Sequence, residues 1–255
     1  MKHHSDIAVG DKFPTRCWGT VTIEYINNAN DIGVIFDDTG HRKSFAKHNI
    51  KNGFIKDRMR PVFHGVGFLG EGPYPKHVDL SKDTAYGCWK QILNRCYNRD
   101  ATSYKAYGAR GVSICDEWRN FQQFAEWYEK NFKSGMKLDK DILIRNNKVY
   151  SPATCRFVPE KVNAIVRTKD SKKKTGFAKG VRKNNNSVSK PFTAQVGLES
   201  GNTHIDCFPS MHLAFLAYKS EREAYIKRVA QREFENGTID FEIYNVLMNW
   251  EVYPY

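Results

Sequence analysis

The sequence predicts an α+β fold in three modules. These are a β-rich N-terminal unit, a central unit of short strands with flanking helices, and a C-terminal three-stranded antiparallel sheet packed on a helix. Three observations lead there. Runs rich in Val, Ile, Thr and aromatics, bounded by turn residues, recur towards both ends of the chain. Apolar residues at helical spacing mark the middle and the C-terminal stretch. Gly/Pro-rich and Lys-rich segments fall between these blocks.

Residues 8–66 form the first block. Cys17–Tyr25 and Gly33–Phe36 read as strands, with turn residues at Asn27–Asn30 and Asp37–Gly40, and a small barrel is the expected arrangement. The Gly/Pro-rich stretch 67–80 reads as an ordered loop or linker. Ala85, Trp89, Ile92, Leu93 and Cys96 then share one helical face. A loop containing Gly108 and Gly111 closes in the β-like run Val112–Cys115. A second helix is expected from near Asp116 to near Phe132, its aromatics serving as core. Residues 136–165 hold the densest polar chemistry. Beyond a basic linker, FAKGVRK, PFTAQVGLE and THIDCF read as three short strands. A long helix over about 210–234 follows, with Leu213, Leu216, Ala217, Tyr225 and Val229 expected inside. A short helix, Phe241–Trp250, ends the pattern. The expected boundaries are 1–66, 67–165, a linker at 166–175, and 176–255.

Charge narrows the partners. The chain of 255 residues carries +12, and residues 166–183 alone hold eight Lys and Arg against one Asp, a net +7. Such a segment is either a solvated tether or a phosphate-tracking element that releases counterions on binding nucleic acid. No run of 18 apolar residues suggests a membrane span. The opening MKHHSDIAVG has no export-type apolar run, and the six cysteines form no CxxC pair. A cytoplasmic chain with reduced thiols is therefore expected.

Two blocks resemble known families. YGCWKQILNRCYN, YKAYGARGVSICDEW, LDKDIL and VYSPATCRFVPEKVN, spread over Tyr86–Asn163, resemble the phage and homing-type HNH endonucleases. The resemblance implies a ββα-metal unit binding one divalent cation, Mg2+ or Mn2+, and a bacteriophage origin acting in an infected host. FAKGVRKNNNSVSKPFTAQVGLESGNTHIDCFPSMHLAFLAY is similar to the DNA-binding domain of plant ethylene-response factors, a module also fused to phage HNH nucleases. That implies a sheet that reads duplex DNA.

Phosphodiester hydrolysis needs a metal to clamp the phosphate, a base to activate water, and stabilisation of the leaving oxygen. By the resemblance, Asp139 takes the metal-carboxylate position and Asn163 the Asn of the closing helix. Asp141 is a second carboxylate on the same side of an extended strand. Where the family has its general-base His, this chain has Lys140, and no His lies between His77 and His204. A lysine clamps phosphate well but is a poor base at its ordinary pKa. Tyr107 and Tyr150 are the substitute bases to consider. Cys96, Cys115 and Cys155 lie in the same block, where three thiolates would supply most of a structural zinc site and buried free thiols are the alternative. No small-molecule cofactor is implied.

The leading expectation is a DNA endonuclease; behind it, in order, come a non-catalytic DNA-binding protein on the same scaffold and an RNA-binding or ribosome-associated protein using the basic linker. The first two part at Lys140. The last two part at the groove, since the A-form major groove is too narrow for a sheet. For DNA reading the candidates are Lys172, Lys173 and Lys174 of the linker and Lys179, Arg182, Lys183, Lys190, Thr193 and Gln195 of the sheet. Residues 166–255 are expected to bind duplex DNA by themselves, and a monomer is compatible with every feature.

Overall fold

The computed structural model describes residues 7–74, 84–166, 176–199 and 201–254. The fold is α+β. Contacts divide the chain into two compact units, Met1–Phe132 with Lys148–Pro152, and Lys133–Asn147 with Ala153–Tyr255. The division runs inside the expected nuclease block rather than at its ends.

The first unit opens with an antiparallel meander of β1 (Lys12–Pro14), β2 (Thr20–Asn28), β3 (Asp31–Phe36) and β4 (Arg42–Phe45), followed by the short helix α1 (Lys47–Lys51). Alternation along β2 and β3 turns Val21, Ile23, Ile32, Val34 and Phe36 into one core, which Ile50 and Ile55 close. The sheet is open, ordered β1-β2-β3-β4, with β1 and β4 unpaired to each other among the described residues. The expected barrel is thus a half-covered sheet.

Thr84 caps α2 (Ala85–Tyr97) by accepting from the Gly87 amide. Trp89, Ile92, Leu93 and Cys96 of the predicted stripe of α2 are buried and Ala85 is half-buried, and Trp89 donates its indole N–H to the Trp118 carbonyl at 2.7 Å. The helix expected from Asp116 is broken. Glu117–Arg119 forms a 3-10 turn, Asn120 is extended, and α3 (Phe121–Asn131) starts only where the Asn120 side chain accepts from the Gln122 amide. The Gly-rich stretch lies against these helices. A Cβ at Gly67 would strike Leu93 and Trp89, and one at Gly72 would strike Gln122. Buried Gln122 donates to the carbonyls of Leu69 and Tyr74 and accepts from the Tyr74 amide. The aromatics of α2 and α3 are core, as expected. A two-residue strand, β5 (Ser113–Ile114), completes the unit. Its parallel partner β7 (Val149–Tyr150) returns from beyond β6 (Met136–Asp139).

In the second unit β6 pairs antiparallel with β8 (Arg156–Pro159), and α4 (Glu160–Val166) follows directly, giving strand, strand, helix in chain order. The C-terminal sheet has the order β11-β10-β9, built from β9 (Val181–Lys183), β10 (Phe192–Leu198) and β11 (Gly201–Phe208). Helix α5 (Met211–Glu235) serves two cores. Its first turns set Ala214 and Phe215 against Ala178, Val181 and Ala194. Its second half sets Ile226, Val229 and Ala230 among Ile142, Val158, Val162 and Ile165, with Ile243 and Leu247 of α6 (Phe241–Met248).

Of the face expected on α5, Val229 is buried and Ala217 and Tyr225 pack against the cores, but the two leucines do not. Leu213 and Leu216 are 45% and 43% exposed, whereas Ala214 is buried. The small residue packs with Val181 and Ala194 of the sheet. At the same contact Gly180 adopts φ +73°, and a Cβ there would lie 2.0 Å from the Tyr218 ring. Among the described residues no helix is long and apolar enough to cross a membrane.

Candidate nucleic-acid interface

Two places in the second unit carry the predicted site residues. The first is the loop after β6. Asp139 Oδ1 accepts from the amides of Asp141 and Ile142, both at 2.7 Å, and so caps its own turn. Burial raises its carboxyl above the usual carboxylate range, opposed by those two amides. Among the described residues Oδ2 accepts no hydrogen bond. Lys140 is buried, and its ammonium donates to Asp141 Oδ1 at 2.7 Å and to the Asn147 carbonyl at 2.6 Å. Asn147 returns a bond from Nδ2 to the Lys140 carbonyl at 2.9 Å. Ile142 anchors the loop in the apolar core. Arg156, opposite Asp139 in the strand pair, gives its guanidinium to Glu242 and to the Cys155 carbonyl. Asn163 is buried on α4.

These residues do not by themselves fit a resident divalent cation. A magnesium-type ion wants about six oxygens. The loop offers two carboxylate oxygens not used by a described protein donor, Oδ2 of Asp139 and Oδ2 of half-exposed Asp141, and among the described residues no group of three or more His, Cys, Asp or Glu is placed to hold an ion. Lys140 is spent within its own loop. Tyr150 belongs to the first unit, where burial pushes its phenol well above the usual range and away from use as a base. Tyr107, in the same unit, lies under the Arg95 guanidinium at 5.4 Å. Cys96 and Cys115 also lie there, while Cys155 is in the second unit, and none of the three forms a disulfide among the described residues. Burial raises the Cys115 thiol, which opposes the thiolate that zinc requires.

The second place is the outer face of the C-terminal sheet. Along β10, Ala194 and Val196 are buried, so Thr193 and Gln195 point the other way. Thr193 stands opposite Arg182 on β9 and Cys207 on β11, and Gln195 stands opposite His204. A row of Arg182, Thr193 and Cys207 thus crosses the sheet, with Gln195 and His204 as the next row and Gly197 and Asn202 beyond it. Thr193 Oγ1 and Cys207 Sγ are 3.6 Å apart. Between residues 176 and 198 the chain has four Lys or Arg and no Asp or Glu. Arg182, Lys183 and Lys190 are exposed, and neither they nor Lys179 form an ion pair among the described residues. Glu199, the first acid past this stretch, is engaged by Arg232. Lys172, Lys173 and Lys174 lie outside the described residues.

The sequence reading had not included His204, Asn202 and Cys207. Their place on this face follows from the β10–β11 register, which the residue pattern does not disclose. Comparison of the chain with protein-family models, with curated proteins and with solved structures returns no match.

Proposed function

We propose that this chain is a duplex-DNA-binding protein whose working surface is the outer face of the C-terminal sheet. The observation that carries the reading is the set of unpaired cations at 179–190, on an acid-free stretch beside a row of neutral hydrogen-bonding side chains. Cations without protein partners are available to phosphates. Thr193, Gln195 and His204 offer donors and acceptors suited to base edges, and Arg182 suits the O6 and N7 of guanine. A three-stranded sheet enters a B-form major groove and is excluded from the A-form one. In this reading the core at Ala178, Val181, Ala194, Ala214 and Phe215 holds the face rigid.

Titration of labelled duplex DNA and duplex RNA with the full chain, at several salt concentrations, tests the reading. Preferential binding of DNA that weakens steeply with salt is expected. A folded chain that ignores duplex DNA at low salt would defeat it.

A second reading, metal-dependent strand cleavage at Asp139, is favoured by the open Oδ2 of that residue. The ion would then arrive with the DNA phosphate and keep most of its shell from water and substrate. Plasmid nicking in magnesium or manganese that stops on chelation and is lost in Asp139→Ala would establish it. The internal pairing of Lys140 leads us to expect no nicking.

A further inference from the structure

The loop joining β9 to β10 has a feature that groove reading by the sheet does not use. Val188, at its tip, is 99% exposed. Single exposed apolar residues are ordinary on protein surfaces, but this one is held in place by the loop beneath it. Asn184 donates its backbone N–H to the Pro191 carbonyl at 2.8 Å and its Nδ2 to the Lys190 carbonyl at 3.0 Å. The Asn186 amide donates to Asn184 Oδ1 at 3.0 Å, and the Lys190 amide to Ser187 Oγ at 3.1 Å. The hydroxyls of Ser187 and Ser189, on either side of Val188, are 3.3 Å apart. Asn185 and Asn186 are neutral and exposed, and Lys183 and Lys190 stand at the two ends of the loop without acidic partners.

An apolar side chain on a braced tip, flanked by free cations and remote from any acid in sequence, has the chemistry of a wedge for stacked bases. The lysines hold the sugar-phosphate backbone while the side chain enters a base step and trades water for the faces of the bases. We propose that Val188 inserts into a base step of the bound duplex, so that the protein binds its DNA bent. The inference rests on the DNA-binding reading above and adds the kind of duplex taken. Pyrimidine–purine steps unstack most readily, so the target would carry a TA or CA step at a fixed offset from the bases the sheet reads.

Energy transfer between the ends of a doubly labelled duplex, bound by the full chain, measures the bend. The wild type is expected to bend the duplex by roughly 20–90°. Val188→Ser should straighten it and weaken binding about tenfold, the equivalent of one apolar side chain left in water. It should leave the salt dependence unchanged, because no phosphate contact is lost. Val188→Ile should keep the bend. Both substitutions lie at a fully exposed position and leave the core untouched. Binding without a bend in the wild type, or an unchanged bend in Val188→Ser, would overturn the wedge and leave the sheet reading intact. Absence of duplex binding in the wild type would overturn both.

Discussion

The loop after β6 and the hairpin of β9 and β10 belong to the same compact unit, and both are rich in polar residues. They dispose of those residues in opposite ways. In the loop, Asp139 caps the turn, Lys140 bonds to Asp141 and the Asn147 carbonyl, and Asn147 bonds back to Lys140. Asp139 Oδ1, the Lys140 ammonium and Asn147 Nδ2 are all engaged within the loop. In the hairpin, Asn and Ser side chains brace the backbone while Arg182, Lys183 and Lys190 remain unspent. Polar groups satisfied by one another hold structure. Cations left without partners on a rigid face are available to a ligand. This contrast is what favours the proposed DNA contact at the sheet over one at the loop that carries the nuclease resemblance.

The largest expected effect concerns what must be present for the sheet to fold. The sequence suggests that residues 166–255 stand alone. The second half of α5, however, packs on Ile142, Val158, Val162 and Ile165, which that fragment lacks. Uncovering these contacts costs on the order of 5 kcal/mol, comparable to the whole stability of a small domain. Residues 166–255 should therefore lack a cooperative melting transition and bind DNA poorly. Residues 133–255, which restore the covering residues, should melt cooperatively. A sharp transition in the shorter fragment would show that the sheet and its helix are independent of that core.

Next in size is Gly180→Ala. The new methyl meets the Tyr218 ring and must adopt a left-handed backbone, which together cost about 3 kcal/mol. Duplex binding and thermal stability should fall together. Gly201→Ala also has positive φ but nothing within 4 Å of its Cβ, so it should show the backbone cost alone, about 1–2 kcal/mol. Equal melting temperatures for the two variants would remove the helix–sheet contact from the account.

Lys140→Met should cost about 1–2 kcal/mol, because the Asn147 carbonyl loses its donor while half-exposed Asp141 regains water. Duplex affinity should not change. A variant of normal stability with weakened binding would make Lys140 a phosphate contact instead.

The smallest effect is a pH dependence at Asp139. Burial raises its carboxyl above the ordinary value of 3.8, so the folded chain keeps that proton to higher pH than the unfolded chain does. Stability from this group therefore falls as pH rises from the unfolded value through the folded one, and is flat above it. Asp139→Asn keeps a side-chain acceptor for the two amides and removes the titration. Across melting curves from acid to neutral pH, the variant should gain on the wild type as pH rises. A constant difference would show that the carboxyl titrates alike in both states.

Much of this was legible in the residues. Most of the stripe of α2 was readable because Trp89, Ile92, Leu93 and Cys96 recur on one face of an otherwise polar helix, although buried Tyr86 rather than the expected Ala85 begins it. The inner face of the first turns of α5 was not, because MHLAFLAY is apolar on every side and periodicity cannot choose between Leu213 and Ala214. The close approach of helix to sheet makes that choice. The break before α3 had its signal in Asn120, a good cap, but the aromatic stripe runs through it. Asp139 was open to two readings, since an Asp that accepts amides two and three residues ahead has the same sequence signature as a metal ligand. The acceptor of the Lys140 ammonium, seven residues away, could be seen only after folding.

The account centres on the sheet, rather than the Asp139 loop, meeting the DNA. The most direct test measures duplex affinity and sequence discrimination of the full chain by fluorescence anisotropy, with Arg182→Ala and Asp139→Ala side by side. Arg182→Ala should lose discrimination equivalent to about 1–3 kcal/mol. Asp139→Ala, measured below its melting transition, should bind and discriminate as the wild type does. Full discrimination in Arg182→Ala together with lost binding in folded Asp139→Ala would contradict the account and return the function to the loop.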